Sequence, residues 1–123
     1  MLKKILIIAA LIGGAGAVQA EGEKSLHDFT VQSIDYSSMP MNQYEGKAVL
    51  IVNTASYCGY TPQYKGLQKL WSDYREKGLI VLGVPANDFG EQEPGSEKNI
   101  KNFCTVNFQA DFPMTKKMVV NGD

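Results

Sequence analysis

The order of apolar and polar residues predicts two strands separated by a helix in the middle of the chain. Residues 48–52 (AVLIV) and 79–84 (LIVLGV) are unbroken apolar runs, typical of strands covered on both faces. Between them, apolar residues recur at three- and four-residue steps and predict one face of a helix: Tyr64, Leu67, Leu70, Trp71 and Tyr74. The same spacing predicts that Trp71 is a packing residue.

The ends of that helix carry their own signals. Thr61 is a good N-cap, and Pro62 suits the first helical position because a proline there loses no hydrogen bond. Gly78 marks the end of the helix. Strand, helix and strand within about forty residues match a parallel crossover unit. The sequence therefore predicts an α/β fold.

Weaker patterns flank this unit. Residues 27–34 alternate around Phe29 and Val31 and predict a half-exposed strand, whereas residues 37–46 are typical of a turn-rich connection. Residues 118–120 predict a further strand before Asn121-Gly122, a strong hairpin signal.

A second helix is predicted to begin after Ser96, which is a suitable N-cap. Its apolar side contains four residues: Ile100, Phe103, Cys104 and Phe108. Cys104 is therefore expected to face the core.

Composition is that of one globular domain. Apolar residues make up 44% of the chain and charged residues 20%, which argues against disorder. The 12 basic and 13 acidic residues nearly balance, so nucleic acid is not an expected partner. No internal repeat or long linker divides the chain.

The N-terminus resembles a secretory signal peptide. Lys3 and Lys4 precede the apolar residues 5–12, and a tract of small residues follows. We expect a signal peptide over residues 1–20, a domain over residues 21–123, and export to the periplasm or outside the cell. A permanent membrane anchor is the weaker alternative, because a spanning helix needs roughly 20 apolar residues. The cleavage site stays open between Ala17 and Ala20.

Cys58 is the main candidate for chemistry. It follows a predicted buried strand and precedes a helix start, where unsatisfied N–H groups favour a thiolate. The sequence has no C-x-x-C pair and His27 is its only histidine, so a simple dithiol oxidoreductase, a metal site and a Cys-His protease are poorly supported. In an exported protein, however, Cys58 and Cys104 would also suit a structural disulfide.

Two long motifs resemble those of glutathione peroxidases. NTASYCGYTPQY (residues 53–64) is similar to the motif around their peroxidatic cysteine, and VPANDFGEQEPGS (residues 84–96) is similar to their second signature. Residues 112–114 (FPM) and 119–122 (VVNG) match as well. The resemblance extends from residue 26 to the end of the chain.

The resemblance implies a thioredoxin-like fold, with a central mixed sheet flanked by helices, and reduction of hydrogen peroxide or organic hydroperoxides. It implies Cys58 as the peroxidatic residue, Gln92 as the active-site glutamine and Cys104 as the resolving cysteine. The expected co-substrate is a thiol reductant, glutathione or thioredoxin, with no bound cofactor or metal.

One departure from the family pattern concerns the end of the chain. The family completes its site with a later Trp-Asn-Phe segment that this sequence does not contain, so we expect a C-terminally truncated member. The alternative is a non-catalytic exported module in which Cys58 and Cys104 form a permanent disulfide.

Overall fold

The computed structural model describes residues 22–57 and 61–122. Its strands and α-helices are β1 (Thr30–Gln32), β2 (Ser38–Pro40), β3 (Ala48–Thr54), α1 (Tyr64–Tyr74), β4 (Leu79–Pro85) and α2 (Glu97–Phe108). Short 3-10 turns span Leu26–Asp28, Met41–Tyr44, Thr61–Gln63 and Arg75–Lys77. Cys58 and the predicted signal peptide lie outside the described residues. Within the described ranges, neither helix is long and apolar enough to cross a membrane.

The predicted crossover unit is present. β3 pairs in parallel with β4 over its whole length, from Ala48 beside Leu79 to Thr54 beside Pro85. α1 connects the two strands and leads through a 3-10 turn to Gly78, which has a φ of 93°. Because only glycine adopts this left-handed conformation without strain, the predicted end of the helix is confirmed.

The start of α1 differs from the prediction. Thr61–Gln63 forms a 3-10 turn, so the α-helix begins at Tyr64 and its N-cap is Gln63 rather than Thr61. The Thr61 hydroxyl donates a hydrogen bond to the carbonyl oxygen of Ala55, at 2.9 Å. This contact ties the beginning of the helix to the chain that leaves β3.

Residues 113–116 join the two strand pairs into a mixed arrangement. β1 and β2 are antiparallel, whereas β3 and β4 are parallel. Met114 pairs in parallel with Gly83 of β4, and Thr115 pairs antiparallel with Ser33, which follows β1. Strands of both directions therefore meet through this segment.

The N-terminal hairpin differs from two predictions. The strand expected over residues 27–34 is limited to β1, because a 3-10 turn capped by Ser25 (Leu26–Asp28) precedes it. Residues 37–46 are more than a connection, since they contain β2 and a second 3-10 turn in which Met41 is buried.

The strand predicted over residues 118–120 is also wrong, because the structure assigns no strand there. The carboxylate of Asp88 accepts hydrogen bonds from the N–H groups of Val120 (2.7 Å) and Asn121 (2.8 Å). The Asp88 side chain thus binds two backbone N–H groups that could otherwise pair with a neighbouring strand. Val119, directly before these two residues, is 84% exposed.

The second helix agrees with its prediction. Ser96 is the N-cap of α2, and its hydroxyl oxygen accepts a hydrogen bond from the N–H of Asn99. Ile100 and Cys104 are the buried residues of α2. Their side chains belong to one of the two apolar clusters of the core.

Those two clusters cover the two faces of β4. Side chains alternate along a strand, so Val81 contacts one cluster while Ile80 and Leu82 belong to the other. The prediction of a strand buried on both faces is therefore confirmed for β4. Trp71 packs against both clusters, which confirms its packing role.

The same prediction is wrong for β3. Leu50 and Ile51 are 38% and 49% exposed. In the described part of the chain, β3 has a paired strand on one side only, whereas β4 lies between β3 and residues 113–116. An apolar run identical in character thus gives a central strand in one case and an edge strand in the other.

Gly83 generates a prediction about stability. A Cβ atom at this position would lie 3.0 Å from a Phe112 ring carbon and 3.2 Å from a Met114 side-chain carbon. We expect Gly83→Ala to lower the free energy of unfolding by about 1–3 kcal/mol through overpacking. Urea unfolding measures this change.

The matched control is Gly66→Ala in α1, where no atom beyond the adjoining residues and backbone of its own helix lies within 4 Å of the added Cβ. This variant should gain about 0.5–1 kcal/mol from the better helix propensity of alanine. A Gly83→Ala protein as stable as the parent would contradict the close approach of residues 112–114 to β4.

Candidate active site

The candidate site lies where the chain leaves the carboxyl ends of β3 and β4. The pairing continues one residue beyond the strands, because the N–H of Ala86 donates to the carbonyl oxygen of Thr54 at 3.1 Å. From β3 the chain runs through residues 55–57 toward Cys58, and from β4 it runs through residues 86–96 to α2. This edge is where open α/β sheets place their sites.

The two residues before Cys58 are bound by two consecutive residues of the opposite loop. The N–H of Tyr57 donates to the carbonyl oxygen of Gln92, at 3.0 Å. The N–H of Ser56 donates to the Glu93 carboxyl oxygen Oε2, at 2.7 Å. Cys58 itself is not among the described residues, but its covalent neighbour is thus held beside Gln92.

A tight turn presents Gln92 at this edge. Gly90 and Glu91 both have left-handed backbones, with φ values of 67° and 55°. The Gln92 side chain lies against Gly90 and lines a cavity of about 160 Å³ together with Tyr64, Leu67 and Phe89. The predicted glutamine therefore borders a mainly apolar cavity next to the chain leaving β3.

Glu93 is a functional candidate that the sequence patterns missed. Its side chain is 0% exposed, although glutamate between a polar residue and Pro-Gly is typical of a solvated turn. Burial raises the pKa of Glu93, while hydrogen bonding from Ser56 lowers it in part. No periodicity marks this residue, so only its place inside a family motif could have singled it out.

The backbone around Glu93 is held from two further directions. Its N–H donates to the side-chain oxygen of Asn87, at 3.0 Å. The ammonium group of Lys117 donates to the carbonyl oxygens of Glu93 (3.1 Å) and Gly95 (2.8 Å). The turn that carries Gln92 is therefore fixed both to the end of β4 and to the segment beyond α2.

Cys104 occupies the core side of α2, as predicted. It is 1% exposed and is a free thiol. Burial raises the pKa of the Cys104 thiol to about 11, with the hydroxyl of Tyr64 lowering it slightly and Glu93 raising it further. At neutral pH the group is therefore a protonated thiol with little nucleophilic character.

An aromatic contact links the segments that carry the two cysteines. The rings of Tyr57 and Phe103, each directly before a cysteine in the sequence, have centroids 6.3 Å apart. Tyr57 and Phe103 thus join the chain that leads to Cys58 to α2.

The described residues contain no group of three or more His, Cys, Asp or Glu side chains that could hold a metal ion.

Comparison with known proteins agrees with the family to which the two sequence motifs point. The sequence model of the glutathione peroxidase family matches residues 26–123. This chain belongs to the glutathione peroxidase family. The thioredoxin-like α/β fold is confirmed by the T. cruzi GPX1 crystal structure, which superposes with a TM-score of 0.61 at 34% identity, covering 81% of this chain and 59% of that one.

Two curated relatives show how much of a glutathione peroxidase the chain represents. It is 46% identical over 103 residues to a hydroperoxy fatty acid reductase from Synechocystis, covering 84% of this chain and 61% of the relative. It is 48% identical over 97 residues to a glutathione peroxidase-like peroxiredoxin from Schizosaccharomyces pombe, covering 79% and 61%. The chain thus spans about three-fifths of the length of these relatives.

Family membership also bears on the alternative of a non-catalytic module. The relatives are named for peroxide chemistry and not for a structural role. The non-catalytic interpretation is therefore not favoured.

The burial of Cys104 predicts slow alkylation. Raising a thiol pKa from 9.0 to about 11 reduces the thiolate fraction roughly 100-fold at about pH 8. In a Cys58→Ser protein, we expect iodoacetamide to modify Cys104 at least roughly 100-fold more slowly in buffer than in urea. Equal rates in the two conditions would show that Cys104 is not held in the core.

Proposed function

We propose that the protein is a thiol peroxidase that reduces hydrogen peroxide or organic hydroperoxides through Cys58. The Cys58 thiolate attacks one oxygen of the O–O bond, and that oxygen stays on sulfur as a sulfenic acid. The bond's electron pair leaves with the second oxygen, which takes a proton and departs as water or an alcohol. The hydrogen bond from Tyr57 to Gln92 carries the proposal, because it holds the neighbour of Cys58 beside the predicted glutamine.

Gln92 is proposed to assist by hydrogen bonding to the reacting sulfur or oxygen atoms. Its side chain has both a donor and an acceptor, and it lies at the edge where Cys58 follows β3. The cavity beside it is lined by Leu67 and Phe89 and suits the apolar part of an organic hydroperoxide. The Synechocystis relative, named as a hydroperoxy fatty acid reductase, supports this substrate class.

Cys104 is proposed to resolve the sulfenic acid. Its thiol condenses with oxidised Cys58, forming a disulfide and releasing water. The contact between Tyr57 and Phe103 supports this pairing, because it joins the residues next to the two cysteines. Because Cys104 is buried, we propose that the later turns of α2 open to let its sulfur reach Cys58.

The disulfide then needs an external thiol reductant, and no bound cofactor or metal takes part. With glutathione, a second glutathione molecule must resolve the mixed disulfide formed in the first step. With a thioredoxin-like dithiol, the second thiol of the same donor molecule resolves it. A resolving cysteine favours the dithiol donor, because it converts the sulfenic acid into a protein disulfide. The name of the S. pombe relative, a glutathione peroxidase-like peroxiredoxin, agrees with this choice.

We propose that the protein is exported from the cytoplasm and is either periplasmic or secreted. Support comes from Lys3 and Lys4 before the apolar residues 5–12 and from the small residues that follow them. Neither a permanent membrane insertion nor a nucleic-acid partner is part of the proposal.

Peroxide titration with intact-mass measurement tests the assignment of the two cysteines. The parent protein should lose two hydrogens as Cys58 and Cys104 form a disulfide. The Cys104→Ser variant should instead gain one oxygen on Cys58, which dimedone traps as a sulfenic acid.

The Cys58→Ser variant is the control, because it retains the other thiol. It should consume no peroxide under the same conditions. Peroxide consumption that survives Cys58→Ser but is lost in Cys104→Ser would overturn the assigned roles.

A further inference from the structure

Among the described residues, Glu93 is the one acidic or basic residue that is completely buried. Burying a carboxyl group is unfavourable unless its oxygens receive hydrogen bonds. Oε2 accepts one from the N–H of Ser56, at 2.7 Å, whereas Oε1 has no partner among the described residues. A glutamate held inside the protein for a single backbone donor requires a reason beyond solubility or surface charge.

The donor that Glu93 binds lies two residues before Cys58. The next N–H along the chain, that of Tyr57, donates to the carbonyl oxygen of Gln92. Gln92 and Glu93 therefore bind the N–H groups of two successive residues, both beyond the end of β3. The separation between Gln92 and the chain that leads to Cys58 depends on this pair of hydrogen bonds.

The Glu93 backbone is also fixed independently of its carboxyl group. The side-chain oxygen of Asn87 accepts a hydrogen bond from the Glu93 N–H, and the Lys117 ammonium group donates one to the Glu93 carbonyl oxygen. Because the main chain of Glu93 is held by these contacts, its side chain connects a fixed turn to the N–H of Ser56. Loss of the carboxyl group would leave the Ser56 N–H buried without an acceptor while the turn itself stays anchored.

We infer that Glu93 is a positioning residue for Cys58, whose buried carboxyl oxygen fixes the backbone of Ser56 and Tyr57 and so sets the placement of the cysteine relative to Gln92. This inference rests on the proposed peroxidase function. The required feature is a hydrogen-bond acceptor at the right reach, and not the negative charge. Gln retains that acceptor and reach, whereas Asp retains the charge but is one methylene shorter.

The experiment compares Glu93→Gln, Glu93→Asp and Glu93→Leu in a Cys104→Ser background, where Cys58 is the remaining cysteine. Two rate constants are measured for each protein: oxidation of Cys58 by hydrogen peroxide and its alkylation by iodoacetamide. Alkylation needs a thiolate, whereas peroxide reduction also needs the alignment with Gln92. The ratio of the two rates therefore reports positioning and not general damage to the fold. Exposed Glu76, changed to Gln and Leu, provides the matched controls.

We expect Glu93→Asp and Glu93→Leu to lower the ratio of peroxide to alkylation rate at least about tenfold, because small displacements of reacting groups are costly. Glu93→Gln should stay within about threefold of the parent, and both Glu76 variants should match it. An unchanged ratio in folded Glu93→Asp would overturn the inference. So would a Glu93→Gln protein as impaired as Glu93→Asp.

Amide hydrogen exchange separates this inference from the proposed function. The Ser56 amide should exchange at least about tenfold faster in Glu93→Asp than in Glu93→Gln, whether or not Cys58 reacts. If the background protein consumes no peroxide, the peroxidase proposal fails while exchange still decides the role of Glu93 in holding the loop. Equal exchange of Ser56 in the two variants would overturn that role, even if Glu93→Leu does not fold.

Discussion

The parallel pairing of β3 with β4 ends at Thr54 and Pro85, and the candidate site depends on where the next N–H groups of the chain are bound. Those of Ser56 and Tyr57 turn away from the sheet ladder toward Glu93 and Gln92. Two backbone donors thereby connect the chain before Cys58 with the turn after β4. The family signature around Gln92 can be understood as the partner of the cysteine motif, because each motif supplies half of this hydrogen-bonded junction.

The sequence predicted best those elements whose cause is local. The spacing of α1, the Ser96 cap of α2 and the left-handed Gly78 all depend on neighbouring residues, and each is observed. The thioredoxin-like fold and the family followed from two motifs in the correct order. Patterns within a short window were sufficient for these features.

Features that depend on distant contacts could not be predicted in the same way. The apolar runs of β3 and β4 look alike, but among the described residues only β4 has paired neighbours on both sides. No strand forms over residues 118–120, where Asp88, more than thirty residues earlier, binds the N–H groups of Val120 and the following Asn121. Glu93 was missed for a related reason, since its partner Ser56 is 37 residues away in the sequence.

The two cysteines need opposite environments in the proposed mechanism. Cys104 gains from burial, which stabilises α2 against the core and suppresses its reactivity. A resolving role requires that burial to be reversible, so the stability of the last turns of α2 bears directly on turnover. Cys58 follows β3, in which Leu50 and Ile51 are exposed, and in the proposed mechanism its reactivity depends on the junction formed by Gln92 and Glu93.

In the proposed mechanism, Cys58 is a reactive thiolate in the chain that follows β3. The most direct measurement is the pH dependence of Cys58 alkylation in a Cys104→Ser protein. Position before a helix start predicts a midpoint at least about one pH unit below the ordinary cysteine value of about 8.5. A midpoint at or above that value would contradict the role of Cys58 as the peroxidatic thiolate.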